Sequence, residues 1–122
     1  MKFTESPLYK NNIILKLTFE FAIKIVLFSE KLDKKGKHVI SKQILRSGTS
    51  IGANVKEAQN AESKKDFIHK LKIASKEADE LEYRLFICNE VDSYENANDL
   101  INKLTPIRKI LNSIITKTKT NI

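Results

Sequence analysis

Glycine and proline are scarce in this chain, three and two among 122 residues. A sandwich or barrel needs many tight turns, so their absence excludes all-β architectures and points to helix throughout. There is one cysteine, Cys88. An internal disulfide and a thiolate metal cluster are both ruled out, which fits a reducing cytoplasm. No long apolar run is present either. The richest stretch, Ile13 to Leu32, is interrupted by Lys16, Glu20, Lys24, Glu30 and Lys31, well short of the roughly 20 clean residues a membrane span needs. The opening MKFTESPLYKNN places Glu5 and Pro7 where a secretion signal needs an unbroken apolar core. The expectation is a cytoplasmic chain without a membrane partner, sized for one domain with a single hydrophobic core.

What is present is charge and helical periodicity. The net charge is +7, although Lys, Asn and Ile supply 45 residues, a bias that AT-rich coding produces by itself. Four helices are expected, at about 11–34, 39–62, 64–91 and 95–117. The first ends at Lys34-Lys35-Gly36, with Gly36 suited to the left-handed position past a helix. Two apolar rows run along it, one through Ile14, Leu17, Phe21, Ile25, Phe28 and Leu32, the other through Leu15, Phe19, Ala22 and Val26. A helix in a lone small bundle needs one apolar face somewhat over 100° wide. The surplus row implies a second contact, most simply another subunit.

Small residues mark the second helix. Gly48 and Gly52 each cost a helix about 1 kcal/mol relative to alanine, so another helix must use the space. Ile40, Ile44, Gly48, Ile51, Val55 and Ala58 form the apolar row, and Ser47, Ser50, Asn54 and Glu57 a small polar strip beside it. Ser47, Gly48, Ser50, Ile51, Gly52 and Asn54 are therefore expected at a close helix-helix contact, with hydroxyls and amide hydrogen-bonded. The segment SGTSIGAN superficially resembles a phosphate-binding loop, but it lacks the Gly-Lys-Ser/Thr ending and a preceding strand.

Ser63 and Asp66 give the third helix an amino-terminal cap. Phe67, Leu71, Ala74, Ala78, Leu81, Leu85 and Cys88 then keep a heptad seam of the kind that packs at shallow angles in antiparallel bundles. The fourth helix follows the Asp92-Ser93-Tyr94 break and carries Leu100, Leu104, Ile107, Leu111 and Ile114. Pro106 is expected to kink or restart it, and the tail beyond Thr116 to fray.

Opposite the heptad seam, Lys65, His69, Lys72 and Lys76 fall on one stripe, while Lys42, Arg46 and Lys56 point outward from the second helix. Nucleic-acid phosphate is the natural partner of such a surface, RNA or DNA alike. Few aromatics accompany the lysines, so base stacking is not the expected mode. A solvated helix face is the plainer alternative. Charge is also uneven, with eight acids against Arg84 alone over residues 77–99 and five bases without an acid over 103–122. Neighbouring subunits could pair these surfaces. For catalysis no constellation is evident: His38 and His69 lack partners in register, and no Glu-x-x-His pair exists to build a carboxylate-bridged metal site. Neither enzymatic activity nor a cofactor is expected.

The run Leu45-Arg46-Ser47-Gly48-Thr49-Ser50-Ile51-Gly52-Ala53-Asn54, followed by Glu57-Ala58-Gln59, Ala61-Glu62-Ser63-Lys64-Lys65-Asp66-Phe67, Lys76-Glu77-Ala78 and Glu82-Tyr83-Arg84-Leu85, resembles the four-helix-bundle proteins encoded by intervening sequences of bacterial 23S rRNA genes, sometimes labelled as ribosomal. The resemblance covers essentially the whole chain. It implies an up-down-up-down antiparallel bundle assembled as a ring-shaped homopentamer, with Phe19, Ala22 and Val26 on the first helix and Tyr83 and Ile87 on the third at the subunit contacts. The chain is also similar to the accessory proteins of diversity-generating retroelements, which implies a protein partner such as a reverse transcriptase. Arg84 departs from a clean aromatic pair after Tyr83 and adds an outward or interfacial charge. Three roles follow: a nucleic-acid-binding bundle, a protein-interaction scaffold, or a passenger of an rRNA intervening sequence with no essential task.

Overall fold

The computed structural model describes residues 1–120, and every regular element among them is helical. A 3₁₀ turn at Phe3–Glu5 leads into a short helix α1, Pro7–Lys10, and then four long helices: α2 Ile13–Lys34, α3 His38–Ala58, α4 Lys64–Glu90 and α5 Asn98–Thr120. Each long helix packs on its sequence neighbour, and α5 closes against α2. The result is an antiparallel four-helix bundle, with the α2–α3 turn and the α4–α5 loop tied together at one end by a Lys35–Glu95 ion pair of 2.8 Å.

Local chemistry sets the helix ends. The Leu15 N–H donates to Asn12 Oδ1 at 3.1 Å, opening α2, and Asn12 Nδ2 donates across to Gln59 at the far end of α3. Gly36 adopts φ +76°, the left-handed conformation that lets α2 turn into α3. The Asp66 N–H donates to Ser63 Oγ, while Asp66 Oδ2 accepts from the Glu62 N–H, so the capping arrangement expected at α4 forms with the return bond one residue earlier than usual.

The core is built from the expected rows. Ile25, Leu32, Ile44, Ile51, Leu71, Leu81, Leu85, Leu104 and Leu111 have almost no exposed surface. Cys88 is buried on the α4 seam, and burial pushes its thiol up to about 11, so it serves as a small apolar residue. A Cβ on Gly48 would lie 2.6 Å from Ile25 Cγ1, and one on Gly52 would lie 3.3 Å from the Thr18 backbone oxygen. Both glycines thus admit α2. Beside them, Ser41 Oγ donates to the Ser29 backbone oxygen at 3.0 Å, and buried Thr18 satisfies its hydroxyl on Ile14 and Leu15.

Several expectations are corrected. Ser50 and Asn54 do not bond across an interface; they donate to Arg46 and Ser50 carbonyls of their own helix. Helix α3 stops at Ala58 rather than residue 62, because Gln59, Asn60 and Ala61 bond back by three residues in a tight turn. On α4 it is Ile68, not Phe67, that is buried, and on α5 Ile115 rather than Ile114. Helix α5 runs unbroken through Pro106 and on to Thr120, and of the tail expected to fray, Asn121 and Ile122 lie outside the described residues. The Asn102 carbonyl loses its usual partner four residues on, but that stretch faces out.

Candidate functional site

Because the heptad seam of α4 faces the core, its opposite stripe must face out, and Lys65, His69, Lys72 and Lys76 are all exposed. The flanks of α4 are occupied differently. Toward α3, Lys70 pairs with Glu57 at 3.4 Å, Glu77 lies 3.9 Å from Arg46, and Arg84 Nη1 donates to buried Ser47 at 2.9 Å. Toward α5, Arg108 holds Glu82 at 2.8 Å and Asp79 at 3.1 Å. Three acids of α4, Glu77, Asp79 and Glu82, thus lie against cations of neighbouring helices, although Glu77 Oε2 is buried without a hydrogen-bond partner. Among the described residues Lys65, Lys72 and Lys76 have no acid within ion-pair distance. Of the two placements the sequence left open for Arg84, outward or interfacial, the side chain is half-buried against α3 through its bond to Ser47.

The cations of α3 do not join that stripe in a single surface. Lys56 lines a groove between α2 and α3, whereas Lys72 and Lys76 line a cleft between α4 and α5. Arg46 leans to Glu77, and the charge of Lys42 acts on Asp33. Asp33 itself is held below the usual carboxylate range, first by a hydrogen bond with His38 at 3.1 Å and then by Ser41. His38 is thus a helix-end partner of an acid.

Between α4 and α5 lies a cleft of about 430 Å³ where Lys72, Ser75, Lys76 and Asp79 face Arg108, Asn112 and Ile115. One turn past Ile115, Lys119 meets Lys72, and hydrogen bonding and repulsion from that second ammonium hold Lys119 below the usual lysine range. Sequence reasoning missed Lys119, since 47 positions separate it from Lys72. The only available signal was the antiparallel pairing of the two helices, which brings the basic end of α5 beside the amino-terminal half of α4.

Two apolar surfaces stay open. Phe19, Ala22, Ile23 and Val26 of α2 with Thr49, Gly52 and Ala53 of α3 line a groove of about 520 Å³. Along the α3–α4 side, Tyr83 and Phe86 project from α4 at 69% and 48% exposure, beside a hollow of about 570 Å³ that Ile40 and Ile87 line together with the charged Asp79, Glu80, Glu82 and Arg84. Of the expected contact residues, Phe19, Ala22 and Val26 line the groove, and Tyr83 and Ile87 line the hollow. Phe19 is half-committed within the chain, stacking edge-on with Phe3 at 5.0 Å and Tyr9 at 5.9 Å. Ile87 is half-buried, and Phe86, three residues from Tyr83 and so on its stripe, is the more exposed neighbour.

Among the described residues no group of three or more His, Cys, Asp or Glu is placed to hold a metal ion, and no helix is long and apolar enough to cross a membrane. No curated protein matches the chain. Among solved structures it is similar to a protein of unknown function from the S23 ribosomal protein family of Bacteroides thetaiotaomicron, at 45% identity and a TM-score of 0.80 over 84% of this chain and 97% of that one. The family model of the 23S rRNA-intervening sequence protein matches residues 10–113, and the chain belongs to that family.

Proposed function

We propose that this protein is a non-enzymatic, oligomeric four-helix bundle that holds RNA or DNA by its phosphate backbone, with little dependence on base sequence. The observation that carries this reading is the outer stripe of α4: Lys65, Lys72 and Lys76 stand in solvent without acidic partners among the described residues, while Glu77, Asp79 and Glu82 of the same helix lie against cations of the neighbouring helices. Phosphate is the counter-charge such a stripe lacks. His69 adds a ring N–H donor between Lys65 and Lys72.

Oligomerisation is supported by the two open apolar surfaces. They lie on different sides of the bundle and differ in shape, one a groove with Ala22, Gly52 and Ala53, the other a ridge of Tyr83 and Phe86. A contact between unlike surfaces is head-to-tail, and such contacts close into rings. A homopentamer, as the family resemblance implies, would carry roughly +35, five times the +7 of one chain, enough to draw polyanions at low salt.

A fluorescence titration of structured rRNA and of random duplex across salt concentrations tests the reading. Binding at about 50 mM salt with a steep negative slope of log affinity against log salt is expected, and charge reversal of Lys65, Lys72 and Lys76 to Glu removes it. No binding to either at that salt refutes it. Association with a protein partner that survives nuclease and high salt favours the scaffold role instead.

A further inference from the structure

We propose that the groove between α2 and α3 takes the Tyr83 and Phe86 ridge of a second copy in one register, with α4 of that copy antiparallel to α3 and its Glu80 paired with Lys56. It rests on the oligomeric reading above, to which it adds a direction, a register and the charge pair that sets them.

Two unpaired charges border the apolar surfaces. Of the residues lining the groove, Lys56 alone is charged, and among the described residues it has no acid within ion-pair distance. Of the three acids lining the hollow beside the ridge, Asp79 and Glu82 are held by Arg108, whereas half-buried Glu80 has no ion pair or hydrogen bond among the described residues. A carboxylate that lacks a cation thus stands one turn before two exposed rings, and a cation that lacks an acid stands at the end of a groove with room for rings. Opposite charges placed in this way fix the orientation of a partner more than the strength of its hold.

The spacings agree. Thr49, Gly52, Ala53 and Lys56 of α3 line the groove, and the rise from Thr49 to Lys56 is about 10 Å. Glu80, Tyr83 and Phe86 share a stripe of α4, and the rise from Glu80 to Phe86 is about 9 Å. With Glu80 on Lys56 and the helices antiparallel, the Tyr83 ring falls over Gly52 and Ala53, where the groove wall is smallest, and Phe86 reaches Thr49. Run parallel, the same pairing carries Tyr83 past Ala58, where α3 ends, and the rings leave the groove empty. Lys56 therefore belongs to the contact between copies and not to the phosphate-binding surface.

The test follows assembly of the full-length protein by sedimentation velocity over a dilution series, for wild type, Lys56→Glu, Glu80→Lys and the two combined. Lys56→Glu with Glu90→Lys is the control, equal in net charge to the combined variant but with the new cation about 15 Å further along α4. Each single reversal sets like charges together and raises the dissociation constant at least about tenfold, and the combined variant returns to within about threefold of wild type. The control stays as weak as Lys56→Glu. Assembly that withstands both single reversals, or a control that recovers as fully as the combined variant, overturns this docking and leaves the oligomeric reading in place. A wild-type chain that sediments alone overturns both and leaves the groove to another occupant. Helical circular dichroism confirms that each variant folds.

Discussion

At the scale of single residues, Gly48 and Gly52 are both small for the sake of α2, yet they are constrained to different degrees. A methyl at Gly48 would come within 2.6–2.9 Å of three carbon atoms of Ile25, a side chain with no exposed surface and nowhere to move. At Gly52 the nearest atoms are 3.3–3.4 Å away, on Thr18. Alanine gains about 1 kcal/mol of helix propensity at either position, and overpacking a filled core costs about 1–3 kcal/mol. Gly48→Ala is therefore expected to destabilise the fold by up to about 2 kcal/mol, whereas Gly52→Ala stays within about 1 kcal/mol of wild type. Urea unfolding of the two variants checks the ordering, and a Gly48→Ala protein as stable as wild type would deny the close α2–α3 approach at Ile25. The polar residues nearby follow the same logic of proximity. Ser41 and Ser29 exchange hydrogen bonds between helices because the backbones come near enough for a short side chain to reach.

At the scale of helices, α5 carries the clearest local conflict. Pro106 sits in its interior on the exposed side, where it removes one backbone hydrogen bond and crowds the preceding turn. Proline costs up to about 3 kcal/mol in such a place, and here the tertiary contacts of Leu104, Ile107 and Leu111 hold the helix together across it. Pro106→Ala should raise stability by about 1–2 kcal/mol, measured as a higher urea midpoint with unchanged slope. How far sequence reading reaches is visible in the same elements. The seam of α4 from Leu71 to Cys88 repeats for several turns, so its buried face was legible, as was the glycine at the α2–α3 turn. The short amino-terminal elements were not, since four residues of helix hold no periodicity and Glu5 and Pro7 carry no packing signal in themselves. Phe3 and Tyr9 join Phe19 only through the fold. The candidate site was half legible for the same reason: Lys65, Lys72 and Lys76 share a spacing, but Lys119 joins them across helices.

At the scale of the whole molecule, the bundle's two ends are fastened unequally. The end formed by the α2–α3 turn and the α4–α5 loop uses surface charge, with Lys35 on Glu95, His38 on Asp33, and Lys37 over the Tyr94 ring at 5.2 Å. Hydrogen bonds from Lys35 and His38 hold Glu95 and Asp33 below the usual carboxylate range, and Lys103 does the same for Asp99. The unfolded chain therefore takes up these protons first as pH falls. The contribution of these groups is present above the ordinary carboxylate range and is lost as pH drops through their lowered values. Thermal midpoints should fall below about pH 4, and amide exchange at residues 33–38 and 94–97 should accelerate before that of the core. The molecule's sides pose the other question of scale. Val26 is 40% exposed in the middle of an apolar groove, and Tyr83 and Phe86 stand out from α4. If a neighbouring copy covers the groove, Val26→Glu places a charge in a desolvated contact and the assembly dissociates, while helicity is kept because the substituted side chain faces out. Sedimentation velocity at micromolar concentration should then show a species several times 14.0 kDa for wild type and a single chain for the variant. A wild-type protein that sediments as one folded chain would show instead that α2 leaves its second apolar row to solvent, and a head-to-tail ring would have no interface from which to form.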